Sequence, residues 1–362
     1  MNALAAKPSW DIFCKIVDNF GDIGVCWRLA RQLHIEHDLQ IRLWVNDLGA
    51  AQKIIPNLFI DINHQICDEI SIIQWDDTAD FSQAAYVVIE AFACGLPPAY
   101  LAAMTQQRSK WINLEYLTAE PWVGDFHAKP SPQANGLTRY FYFPGFTEKT
   151  GGLIRECNII ELNQKYITNH NTLKVSLFCY PNAPIHDLLT ALQSNDHEVL
   201  VYVTASSILP QIASFLGQYS IGAGDYFTHN NLHVRFLPFL SQADYDALLR
   251  DCDINFVRGE DSWVRAIWAG RPFIWQPYFQ TEDTHIKKLD AFLDTFYADF
   301  EAKQVVCEAH SAWVVGQLSN EIWQSYLHCL TTINTYTRQQ SNQLAKLDDL
   351  AAKLVIFCNK IQ

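Results

Sequence analysis

The sequence predicts an α/β fold built as two strand–helix domains, and three observations carry that prediction. Short apolar runs alternate with longer segments of helical period, the pattern of parallel strands joined by covering helices. The alternation comes in two series, one within 11–115 and one within 174–276, with the polar stretch TNHNT at 168–172 between them. A chain of 362 residues is long enough for two separate cores at about 150 residues each.

In the first series, strands are expected at 11–17, 41–45, 86–91 and 111–115, with helical stretches at 23–34 and 48–55. In the second they are expected at 174–180, 198–203, 234–237, 254–258 and 272–276. A helix at 263–269 is stopped by Gly270 before Pro272. Residues 321–362 contain no Gly or Pro and read as helical. The expected domains are 1–160 and 161–340, with a last helix, 341–362, crossing back to the first. FHAKPSPQANG at 126–136 reads as a loop, and the aromatic run from Tyr140 to Phe146 reads either as a buried strand and turn or as a protein-docking wall.

Lys and Arg number 26 against 39 Asp and Glu, a net charge of −13 that argues against wrapping a nucleic-acid backbone. No window is apolar enough to span a bilayer, and the chain starts without an export-type segment. Ten cysteines show no CxxC and no pairing with His, so they read as reduced core thiols of a cytoplasmic protein with no metal site.

Open α/β sheets bind ligands beyond the carboxyl ends of their strands. The loop Val17-Asp18-Asn19-Phe20-Gly21-Asp22-Ile23-Gly24 follows the first expected strand and holds two acids and two glycines. It lacks the G-x-G-x-x-G of a dinucleotide site, and its acids would repel a pyrophosphate, so it suits an acceptor with positive charge or N–H donors. The plainer reading, a helix cap at Asp22 and a turn hydrogen bond at Asp18, is equally open here. Cys26, Trp27 and Leu29 read as core.

A second loop, Arg258-Gly259-Glu260-Asp261-Ser262, joins a strand to a helix and has the outline of an anion site. Helix-start N–H groups, the Ser262 hydroxyl and the Arg258 fork all suit phosphate oxygens. Glu260 suits sugar hydroxyls. A helix cap at Asp261 or Ser262 with an Arg258–Glu260 surface pair is the alternative. The strand ends at Phe178-Cys179-Tyr180 and Phe239-Leu240-Ser241-Gln242 offer rings to stack on a base and an amide to read its edge.

With these loops assembled, the sequence resembles the EarP family, the elongation factor P arginine rhamnosyltransferases. The likeness lies in DIFCK at 11–15 leading into DNFGDIGVCWRL at 18–29, in FPGF at 143–146 with KTGGL at 149–153, and in FVRGEDS at 256–262. It implies the GT-B fold, two Rossmann-like domains facing across a cleft. It implies inverting transfer of L-rhamnose from dTDP-β-L-rhamnose to an arginine of elongation factor P, with no metal or other cofactor. By motif, Asp18, Asp22 and Glu260 form the expected catalytic set, Asp22 as general base. Phe178, Tyr180, Phe239, Gln242, Arg258, Glu260, Asp261 and Ser262 are expected to hold the nucleotide-sugar. Two other readings stay in play: a GT-B enzyme with a small-molecule acceptor, and a nucleotide-sugar-binding protein without catalysis.

Overall fold

A computed structural model describes residues 8–17, 20–164 and 172–361. The chain forms two compact units, Met1–Glu156 with Leu347–Gln362, and Cys157–Lys346. The linker stretch at 168–171 lies outside the described residues.

The first unit holds an eight-stranded sheet of β1 (Ser9–Cys14), β2 (Gln40–Val45), β3 (His64–Cys67), β4 (Ile70–Gln74), β5 (Val87–Ala91), β6 (Lys110–Leu114), β7 (Lys129–Pro132) and β8 (Thr138–Tyr142). Its order is β3-β4-β2-β1-β5-β6-β8-β7. All neighbours are parallel except the two edge hairpins, β3–β4 and β7–β8.

Alternation along β1 divides its side chains between the two faces of the sheet. Trp10, Ile12 and Cys14 join a core with the helix Gly21–His37 and with Leu350, Ala351, Leu354 and Cys358 of the helix Leu350–Lys360. Phe13 joins Trp44, Tyr100, Met104 and Trp111 on the other face. Asp11 is fully buried and is held by the Arg42 guanidinium through both carboxylate oxygens and by the Tyr100 hydroxyl. A buried carboxylate persists because those donors replace its water.

The last helix is docked by a close backbone approach. Gly152 has φ +76°, and the Leu350 N–H donates to the Leu153 carbonyl at 3.0 Å. The segment expected to be one helical stretch at 321–362 is three helices, Asn320–His328, Leu330–Leu344 and Leu350–Lys360.

The second unit holds a six-stranded sheet of β9 (Thr172–Leu177), β10 (Glu198–Val203), β11 (Tyr226–His229), β12 (Leu232–Phe236), β13 (Ile254–Arg258) and β14 (Phe273–Gln276). Its order is β11-β12-β10-β9-β13-β14, parallel apart from β11. Between the buried middles of β9 and β13, Ser176 hydrogen-bonds Asn255, and Asn255 Nδ2 donates to the Leu249 carbonyl at 2.9 Å.

Several expected boundaries move. β1 ends at Cys14 rather than residue 17, because side chains take over the next N–H groups: Ile16 donates to Asn46 Oδ1 and Val17 to Asp22 Oδ2, both at 2.8 Å. β9 likewise ends at Leu177 rather than residue 180. The expected loop at 126–136 contains β7, an edge strand, the one place in a sheet that tolerates its two prolines. The aromatic run enters β8 and then a turn, with Tyr142, Phe143 and Phe146 buried. Six cysteines are buried as expected of core thiols, but Cys157 is exposed and Cys94, Cys307 and Cys329 are half-buried.

Candidate active site

In each unit the strand order reverses beside the first strand, at β1/β5 and at β9/β13. Such a reversal opens a crevice at the carboxyl ends of the two strands, where ligands bind in sheets of this kind. The expected site loops after β1, β9 and β13 stand at these reversals, whereas Phe239 and Gln242 follow β12, two strands away from β9.

In the first unit, Asp18 lies outside the described residues. Asp22 does not cap its helix: the cap position is Phe20, without a side-chain bond, and Asp22 stands in the first turn. Its carboxylate, 2% exposed, accepts the Val17 N–H through Oδ2 and the Tyr116 hydroxyl, at 3.2 Å, through Oδ1. The Tyr116 ring stacks on Phe92, with ring centres 4.3 Å apart and planes 12° apart. Phe92 and Ala93 follow β5 in left-handed backbone, φ +57° and +51°.

Behind that turn, the buried Glu90 carboxylate accepts the Gly95 N–H and the Trp111 indole N–H, both at 2.9 Å. Arg139 completes the group with an ion pair to Glu90 at 3.6 Å. Tyr116 and Phe92 were not expected from the sequence. The signal available was their position, each within two residues of a strand's carboxyl end.

In the second unit, Gly259 turns the chain after β13 with φ +61°, in the left-handed region that favours glycine. Its carbonyl accepts the Trp275 indole N–H at 2.7 Å, and Trp275 stacks on Trp263 of the helix Asp261–Ala269 at 3.7 Å. That helix has Glu260 at its cap position and no side-chain cap, so neither Asp261 nor Ser262 caps it.

The Ser262 hydroxyl, expected to face an anion, instead closes the turn. It accepts the Arg258 N–H at 3.0 Å and donates to the Arg258 carbonyl. The Arg258 guanidinium lies over two rings, 4.4 Å from the Phe178 centre and 4.6 Å from that of Tyr180. The rings expected to stack on a base thus flank the cation.

Tyr180 is also held from below, its N–H donating to Gln276 Oε1 at 2.7 Å. Its ring meets Tyr278 edge-on at 5.7 Å, and Tyr278 is exposed. Gln276 and Tyr278 are further site-forming residues that spacing alone did not single out. Phe239 is exposed, and Gln242 opens the helix Gln242–Asp251 behind the Ser241 cap. Among the described residues, no three His, Cys, Asp or Glu side chains are grouped to hold a metal. No helix there is long and apolar enough to cross a membrane.

Residues 10–359 match the family model described as elongation factor P (EF-P) rhamnosyltransferase EarP. The chain belongs to the EarP family. That membership makes it a glycosyltransferase. The protein-arginine rhamnosyltransferase of Pseudomonas aeruginosa is 40% identical, over 96% of this chain and 98% of that protein. The one from Shewanella oneidensis is 35% identical, over 99% and 100%.

A solved structure described as the structural basis for EarP-mediated arginine glycosylation of translation elongation factor EF-P superimposes with a TM-score of 0.71 at 31% identity. It covers 98% of this chain and all of the other. A UDP-glucose:anthocyanidin 3-O-glucosyltransferase, 11% identical with a TM-score of 0.51, shares the fold alone. The EarP chain therefore has the GT-B fold of two α/β units, as the sequence predicts.

Proposed function

We propose that this EarP-family enzyme moves L-rhamnose from dTDP-β-L-rhamnose to an arginine of elongation factor P, with inversion at the sugar carbon, and so activates the factor in the cytoplasm. The observation that carries the reading is the Asp22 carboxylate, buried in the first helical turn after β1 in a chain whose relatives are protein-arginine rhamnosyltransferases. A guanidinium has a pKa above about 12 and attacks poorly while it keeps its charge delocalised. A carboxylate beside it localises the charge and accepts the proton released as the bond forms.

In the step, a guanidinium nitrogen attacks the anomeric carbon from the face opposite the diphosphate. The C–N bond forms, the C–O bond to the diphosphate breaks, and one proton passes to Asp22. Asp18 orients the guanidinium. Arg258 and the first turn of the helix Asp261–Ala269 stabilise the departing dTDP, and Glu260 accepts hydrogen bonds from sugar hydroxyls. Phe178, Tyr180, Phe239, Gln242 and Asp261 shape the donor pocket, and Ser262 holds the Arg258 turn in form. No metal is needed in this scheme, since the cation and the helix start face the diphosphate charge. The free thiols fit a reducing compartment.

Incubation of the protein with dTDP-β-L-rhamnose and elongation factor P, followed by intact mass and peptide mapping, tests the reading. One deoxyhexose on a single arginine, in the α-configuration by NMR, is the expected result. An unmodified factor in the presence of bound donor overturns the proposed acceptor, and a β-linkage overturns inversion.

A further inference from the structure

We propose that Tyr116 is a positioning residue for the Asp22 carboxylate, and that the Phe92–Tyr116 ring stack exists to hold it there. The inference rests on the reading of Asp22 as the proton acceptor. Asp22 is held through both oxygens, Oδ2 by the Val17 N–H and Oδ1 by the Tyr116 hydroxyl. A carboxylate gripped at both oxygens has one orientation.

The support behind Tyr116 is built at a backbone cost. Phe92 and Ala93 both adopt left-handed backbone, a conformation that residues with a Cβ rarely keep unless the surroundings impose it. Here the surroundings are specific: Phe92 N–H donates to the Leu114 carbonyl at 2.7 Å, and buried Glu90 takes the Gly95 N–H. The turn lays the Phe92 ring flat on Tyr116, which follows β6, the neighbour of β5 in the sheet. Strained backbone, a buried anion and a stacked pair thus converge on the hydroxyl that meets Asp22.

The test is kcat and the acceptor KM for transfer from dTDP-β-L-rhamnose to elongation factor P, compared among wild type, Tyr116→Phe, Phe92→Leu and Asp22→Asn. Tyr116→Phe keeps the ring stack and removes one hydrogen bond. Its kcat is expected to fall about tenfold with the acceptor KM nearly unchanged. Phe92→Leu, which loosens the stack but keeps the hydroxyl, should lower kcat by less, again with the acceptor KM nearly unchanged.

Wild-type kcat in Tyr116→Phe, or a lowered kcat with the acceptor KM raised by the same factor, overturns the inference while an inactive Asp22→Asn leaves the Asp22 reading standing. An active Asp22→Asn overturns that reading itself.

Discussion

The guanidinium of Arg258 lies 4.4 Å from the ring centre of Phe178, although the two residues are eighty positions apart in the chain. They meet because β13 pairs with β9 and both strands end at the same rim of the sheet. The planar cation lies over both Phe178 and Tyr180 and donates to the Cys179 carbonyl at 3.4 Å, which fixes its fork at the proposed donor site. Arg258→Ala should weaken dTDP binding by about ten- to a hundredfold in isothermal calorimetry. Arg258→Lys should recover only part of the loss, since an ammonium keeps charge without the fork. An unchanged dissociation constant in Arg258→Ala would remove the turn from the donor site.

Asp22→Asn replaces the proposed proton acceptor with a group of the same size. Transfer to elongation factor P, followed by intact mass, should disappear, with dTDP affinity within about twofold of wild type. Residual transfer near the wild-type rate would place the base elsewhere.

Gly152 meets the start of the last helix so closely that an added Cβ would sit 2.5 Å from the Asp348 carbonyl oxygen. Gly152→Ala combines that overlap with a left-handed φ, and is expected to cost about 2–4 kcal/mol in urea denaturation. A midpoint equal to wild type would show that residues 348–350 yield freely.

His310 gives the fold a pH window. Burial pushes its imidazole from the ordinary 6.5 down to about 4, and its Nδ1 is occupied by the Val306 carbonyl at 2.9 Å. Because the unfolded chain binds the proton more readily, the contribution is whole above about pH 6.5 and is lost as pH falls toward 4. The loss is on the order of 3 kcal/mol. Denaturation across pH 4–7 should show a shallower slope for His310→Phe than for wild type. Identical slopes would count against a neutral buried imidazole.

The elements that place the site were readable because their physics is local. β1, β2, β5 and β6 are apolar runs of strand length, and the helix Gly21–His37 buries Ile23, Cys26, Trp27 and Leu29 in the pattern the sequence shows. The β3–β4 hairpin was not, since β3 is only four residues long with His64 and Ile66 exposed, and the turn uses Asp68 and Glu69 in left-handed backbone rather than a glycine signal. β7 was hidden by its prolines.

Within the candidate site, Asp22 and Arg258 stand in loops whose composition points to them. Phe92, Tyr116 and Gln276 do not, because each acts through a partner brought near only by strand pairing. Ser262 has a role that composition did not show: the backbone of its own turn uses the hydroxyl on both sides.

The helix Leu350–Lys360 belongs to the unit whose other residues end at Glu156, so that unit is discontinuous in the chain. During synthesis the whole of Cys157–Lys346 is translated, and free to fold, before Leu350, Ala351 and Leu354 arrive to complete the earlier core. The amino-terminal half therefore lacks part of the cover on one face of its sheet, beside the helix Gly21–His37, while about 190 residues pass through the ribosome. The modifying enzyme's own maturation thus depends on sustained elongation.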